Sequence, residues 1–264
     1  VRADSVHQYD WVCHFGSSVA VEGDWVKGVA ESQQVLGAKV VAPAGFSAST
    51  GNDGKPYVRV RPSPNVANTR FVVVLYPTDN AGWGSKPAIS SLGSDGQASG
   101  VRVALDGVQD HLVKYGDQET VTIGDYSFDG KVASVIKDPS GNLRTVFLGQ
   151  GSRLSDGRGS RSLIQGPKGN AAVEVNYDGS SLALFGENLV GLTVYAPMAD
   201  IGQVTVNGQP AAASKRGDYV IMGVVNQPEV VAVSPNRSPA TGGTVVTIVG
   251  RNFQTGAAVT FGEA

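Results

Sequence analysis

The sequence predicts an all-β chain: a large antiparallel β-sandwich, a small β unit after it, and a partial sandwich at the end. Three observations predict this class. The first is punctuation. The chain has 35 Gly and 13 Pro, spread so that no window long enough for a stable helix escapes both helix breakers. Even the longest Gly-free stretch, Lys55–Ala81, carries Pro56, Pro62, Pro64 and Pro77. The second is a series of short β-branched and aromatic runs, several alternating apolar and polar with period two, as half-buried antiparallel strands do. The third is the turn chemistry between them: "NDG", "LDG", "FDG", "PSGN", "SDG", "YDG" and "VNG". The Asp-Gly turns keep no fixed period, which argues against a repeat array.

Taken in order, "RADSVHQYDWVCHFG" (Arg2–Gly16) reads as a first strand dense in polar and aromatic side chains. "YVRVR" (Tyr57–Arg61) and "RFVVVLY" (Arg70–Tyr76) follow as strands between proline breaks. "VRVAL" (Val101–Leu105), "TVTI" (Thr120–Ile123) and "KVASVIK" (Lys131–Lys137) continue the sandwich. "GPKGN" (Gly166–Asn170) reads as a break, so the large sandwich is expected over residues 1–166. "AVEVNY" (Ala172–Tyr177) alternates cleanly, with Val173, Val175 and Tyr177 facing one way and Glu174 and Asn176 the other. With "LTVY", "VTVNG" and "YVIMG" it makes the small unit, residues 167–226. A linker, "VVNQPE", leads to the last segment, residues 227–264.

Composition narrows the function classes. At 264 residues and 41% hydrophobic, the chain can bury a sizeable core. A formal charge of -2 without long runs of either sign does not suggest nucleic acid or an anionic membrane surface. No apolar run approaches the roughly 20 residues that span a bilayer. The chain starts at Val1 rather than Met, from which a processed or trimmed start is expected. Cys13 is alone; a small apolar core residue is the more economical reading than a reactive thiol.

Two of the three His fall in the first strand. If that strand is regular, His7, Tyr9 and Trp11 share one face, while Asp10 and His14 share the other. His7 and His14 then do not meet one ion unless a bulge intervenes, though either could be one ligand of a site completed from elsewhere. The alternative is a strand with structural His and a buried Trp. His111, in "DGVQDHLVKYG", lies near a turn and reads as a solvent-facing or hydrogen-bonded His.

Two family resemblances bear on these residues. "PEVVAVSPNRSPATGGTVVTIVGRNFQTGAAVTFGEA" (Pro228–Ala264) resembles the opening half of an IPT/TIG domain, an immunoglobulin-like β-sandwich. The matching residues are Ser234-Pro235, Gly242-Gly243, Thr247-Ile248, Gly250, Asn252-Phe253, Val259 and Phe261-Gly262. Three strands fit where such a sandwich takes about seven, so a truncated domain is expected. The first strand, with "RFVVVLYPTD", "TIGDYSFDGKVASVI", "FLGQGSRLSDG" and "GLTVYAPMADIGQVTVNGQP", resembles the sandwich of heparinase II/III-like polysaccharide lyases in the same order.

The lyase resemblance implies a function. Such enzymes pair a helical α/α toroid with this sandwich and cleave uronic-acid glycosides by β-elimination. The toroid carries most of that chemistry and would lie upstream in the same parent protein, so no catalytic residue is expected here. A zinc ion in the sandwich of several members makes His7 the candidate ligand in the intact parent, with His14 the runner-up. Arg59 and Arg61 alternate on one strand and become candidates for a uronate carboxylate, beside the plainer reading of a solvated strand face. Trp83, on the Gly-flanked loop "NAGWGSK", becomes a candidate for stacking on sugar, beside a loop anchor. The partner implied is an acidic polysaccharide, and the place a bacterial cell surface or the medium outside. A non-catalytic carbohydrate-binding module or a structural spacer is the alternative.

Overall fold

The computed structural model describes residues 2–166, 172–223, 229–235, 237 and 243–251. Nearly all ordered structure in it is β. Among the described residues, helix is confined to three 3-10 turns, Gly82–Ser85, Gly157–Gly159 and Ile201–Gln203. The dense Gly and Pro punctuation has the effect expected of it.

The first body is built from nine strands: β1 (Arg2–His7), β2 (Trp11–His14), β3 (Ser18–Glu22), β4 (Trp25–Val29), β5 (Gln34–Ala42), β6 (Phe46–Asn52), β7 (Pro56–Pro62), β8 (Val66–Asn68) and β9 (Val72–Asp79). A three-stranded sheet, in the order β2-β7-β6, faces a four-stranded sheet, in the order β3-β4-β5-β9. Phe15, Val26, Ala38, Val40, Val58 and Val60 fill the space between them. Gly28 is required here: a Cβ on it would stand 1.7 Å from the Phe15 ring. The reverse side of the four-stranded sheet is covered as well, by Trp25, Val35 and Trp83, with Tyr76 and Ile89 packed against them. The first segment is not one strand. It breaks at Gln8–Asp10, and β1 pairs with β8 while β2 pairs with β7.

The second body is a larger sandwich. Its nine-stranded sheet runs Ala88–Ser94, Ala98–Ala104, Val108–Lys114, Val132–Lys137, Leu143–Gly149, Val173–Asp178, Ser181–Gly186, Val204–Val206, Gln209–Pro210. The seven-stranded sheet runs Val121–Ile123, Tyr126–Phe128, Arg153–Asp156, Arg161–Gln165, Thr193–Tyr195, Tyr219–Met222, Ala213–Arg216. Pairing is antiparallel except between Ser181–Gly186 and Val204–Val206. Strands on both sides of Gly166 therefore lie in the same two sheets. They also share one core, from Ala98 through Leu148 and Val175 to Met222.

Alternation sets these faces. Val173 and Val175 are buried and Tyr177 packs on the core, whereas Asn176 Nδ2 donates to Glu174 Oε1 at 2.8 Å on the opposite face. Asp110 is fully buried between the sheets. It accepts from Arg102 at 2.7 and 2.8 Å and from the Tyr126 hydroxyl at 2.6 Å, so every charge-bearing oxygen is satisfied. Turn chemistry is local and specific. Asn207 and Gly208 both take positive φ, 49° and 79°, between the paired residues Val206 and Gln209, as a two-residue hairpin turn of this hand demands.

The end of the chain adds a two-stranded sheet, Glu229–Ser234 against Thr247–Arg251. Val230, Val231 and Val249 are each more than half exposed there. The expected third strand of this segment, around Val259 and Phe261, lies outside the described residues.

Candidate functional site

The outer face of the β2-β7-β6 sheet collects Arg59, Arg61 and His14 from among the predicted site residues. Cross-strand register puts His14 opposite Tyr57 and Val12 opposite Arg59 on one side of β7. On the other side it puts Ser49 opposite Arg59 and Ser47 opposite Arg61. Val58 and Val60 point into the core, so period two sends Tyr57, Arg59 and Arg61 outward together. The Arg59 and Arg61 side chains remain 41% and 33% exposed, so both reach solvent.

Charges along this stripe are interlocked. Asp10, just before β2, accepts from Arg61 Nε at 2.8 Å and from its Nη2 at 3.1 Å. Arg59 Nε stands 3.3 Å from the same carboxylate. The Arg61 hydrogen bonds, reinforced by the charges of Arg61 and Arg59, hold the Asp10 carboxyl below its ordinary pKa. The Arg59 guanidinium lies 5.7 Å from the centre of the Tyr57 ring, in cation–π range. Tyr57 in turn lies over Gly51, where a Cβ would come within 2.4 Å of it. His14 Nε2 reaches Asp53 Oδ1 at 3.2 Å, and its ring is 5.6 Å from Tyr57. Two guanidinium groups, a tyrosine face, an imidazole and the hydroxyls of Ser47 and Ser49 thus sit on one sheet face. Such a set can pair with carboxylates and hydrogen-bond hydroxyls.

Other candidates fall elsewhere. His7 is exposed at the end of β1, 3.2 Å from the Ser5 hydroxyl and edge-on to Tyr9. It belongs to a different sheet from His14, and a register shift in β1 does not bring the two together. Among the described residues, no three His, Cys, Asp or Glu side chains gather in a way that could hold a metal ion, so these residues alone do not fit a zinc site. Trp83 is buried. Its Nε1 donates to Glu22 at 2.9 Å, its ring meets Trp25 edge-on at 5.7 Å, and it covers Gly37. A ring enclosed in this way anchors its loop and offers no open face to a sugar. Cys13 packs on the first core, and burial raises its thiol pKa, the opposite of an activated nucleophile. His111 is in mid-strand on the outer face of the nine-stranded sheet. Desolvation lowers its pKa, against the opposing pull of Asp110.

His111 also lines a feature that sequence reasoning did not find. A cleft of about 890 Å³ runs between the stretch Thr69–Tyr76 and the outer faces of Ser99–Leu105 and Gln109–Tyr115. Its walls are largely apolar, and among its lining residues the Arg70 guanidinium lies 3.5 Å from the centre of the Tyr115 ring. Nothing local marks these residues, because the cleft is formed by two bodies meeting. Tyr57 was not singled out from the sequence, although the parity it shares with Arg59 and Arg61 could have marked it. Asp10 carried no such mark, because its partner is 51 positions away.

Comparison with known proteins adds one finding. The sequence pattern of the IPT/TIG domain matches residues 228–264. No curated protein matches the chain. Among the described residues, no helix is long and apolar enough to cross a membrane. The all-β chain therefore ends in a segment that is similar to an IPT/TIG domain.

Proposed function

We propose that this chain is the non-catalytic sandwich portion of a secreted polysaccharide lyase, and that it grips the acidic polysaccharide on the outer face of β2-β7-β6. The observation that supports the reading is the convergence of Arg59 and Arg61 with Tyr57, His14, Ser47 and Ser49 on one open sheet face. Guanidinium groups suit uronate carboxylates, and serine hydroxyls and a tyrosine ring suit the sugar between them. In this reading β-elimination belongs to the helical toroid of the lyases that residues 1–226 resemble. Zinc belongs to the intact parent, with His7 supplying one ligand.

The test is binding by the isolated chain. A polyuronate should bind and a neutral glucan should not. Replacing both Arg59 and Arg61 by Ala should weaken the polyuronate at least about tenfold, since charge-assisted pairs are the strong ones. Equal affinity for the neutral glucan would overturn the reading. The chain alone should form no unsaturated uronate product, read by ultraviolet absorbance. For zinc, the measurement is metal content of the parent beside its His7→Ala and His14→Ala variants. Unchanged zinc in the first variant would remove His7 from the site.

A further inference from the structure

Two guanidinium groups share one carboxylate on this face, and the imbalance is local. Arg61 holds Asp10 at two points, 2.8 and 3.1 Å. The Asp10 Oδ2 that accepts from Arg61 Nη2 is also the atom nearest Arg59 Nε, at 3.3 Å. The third approach is not aligned as a hydrogen bond. Arg59 Nε is enclosed by protein and makes no hydrogen bond among the described residues, although Asp10 is within ion-pair range. Enclosed donors in folded proteins are nearly always paired, so an orphan of this kind asks for an explanation. Geometry supplies one. A single carboxylate cannot present two-point pairing to two guanidinium groups at once, and Arg61 has taken it.

We infer that Asp10 stands where a ligand carboxylate would stand, and that a uronate carboxylate pairs with the solvent-exposed end of the Arg59 guanidinium, whose ion pair with Asp10 carries no hydrogen bond, in competition with Asp10. This rests on the acidic-polysaccharide reading above and adds the element that sets affinity. The surroundings of Arg59 favour a sugar acid over a bare anion. Ser49 lies directly opposite on β6, and the Tyr57 ring is 5.7 Å from the guanidinium carbon. Asp10 is then a positioning residue with two opposed effects. It aligns Arg61, and it repels and displaces the incoming carboxylate. Its removal should strengthen binding, whereas removal of either arginine should weaken it.

The experiment is calorimetric titration of the full chain with a uronic-acid hexamer at low ionic strength, with a neutral glucan hexamer alongside. Asp10→Asn keeps an oxygen for Arg61 and removes the charge. It is compared with Asp53→Asn, which removes a carboxylate further along the same stripe, and with Arg59→Gln. The expected result is an affinity at least about fivefold higher for Asp10→Asn, within about twofold of wild type for Asp53→Asn, and lost for Arg59→Gln, since pairing energy falls steeply from a direct partner to a screened neighbour. Binding by Asp10→Asn alone, with none by wild type, would also support the inference, with the site masked in the native chain. Equal gains in the two Asp variants would reduce the effect to diffuse charge and overturn it. Wild-type binding that Asp10→Asn leaves unchanged or weakens would overturn it while the polysaccharide reading stands. Failure of both wild type and Asp10→Asn to bind would overturn both.

Discussion

At the scale of single residues, the candidate face and the core follow different rules. Asp10 lies near the surface, hydrogen-bonded to Arg61 and ion-paired with Arg59, so its effect on stability should depend on pH. Its folded pKa is depressed, chiefly by the Arg61 hydrogen bonds. Its contribution is therefore present above the unfolded value near 3.9 and is lost as pH falls through the lower folded value. Denaturation of Asp10→Asn should show a flatter acid limb than wild type and little difference at pH 7 in that slope. Trp83 behaves as core. Truncation to Ala removes a buried indole, its Glu22 hydrogen bond and the cover over Gly37, and should cost about 3–5 kcal/mol by chemical denaturation. A loss under 1 kcal/mol would return Trp83 to the list of surface groups. Asp110 is sensitive as well: Asp110→Ala leaves the buried Tyr126 hydroxyl without its acceptor and the part-exposed Arg102 without its partner, and should cost about 2–3 kcal/mol.

At the scale of elements, strand identity was legible and strand partnership was not. Alternation in "AVEVNY" placed Val173, Val175, Glu174 and Asn176 on their observed faces, because burial on one side of a sheet has period two. The "VNG" signal specified its hairpin turn for the same local reason. Long-range pairing leaves no such mark. The pairing of β2 with β7 brings Asp10 to Arg61, and it depends on which sheet can cover Phe15 and Val26. The same limit applies to the first strand, where Gln8–Asp10 interrupts a run that composition alone reads as continuous. For the paired strands Glu229–Ser234 and Thr247–Arg251, the exposed Val230, Val231 and Val249 predict weak protection. Their amides should exchange faster than those of Val132–Lys137 and Leu143–Gly149. Equally slow exchange in a monomeric sample would show that another surface covers them.

At the scale of the whole molecule, fold class was legible from Gly, Pro and period, and the circular dichroism spectrum should be that of β-structure with little helical signal. The division into bodies was less so. "GPKGN" has the composition of a linker, yet the strands on either side of it rejoin the same two sheets. A loop inside a sandwich and a loop between domains need the same residues, and only the distant partners of the flanking strands distinguish them.

The short connection between the two bodies bears on how a bound polysaccharide would be presented. Gly82–Ser85, which carries Trp83, is separated from Ala88–Ser94 by Lys86 and Pro87 alone. Ile89, at the start of the second sandwich, is packed into the Trp25 and Trp83 cluster of the first. Even if that packing let go, three chain steps would permit a separation of only about 11 Å. The first body is on a leash shorter than a few sugar units. A chain caught at Arg59 would therefore be delivered at a nearly constant distance and bearing from the second sandwich, so that capture would also measure out length.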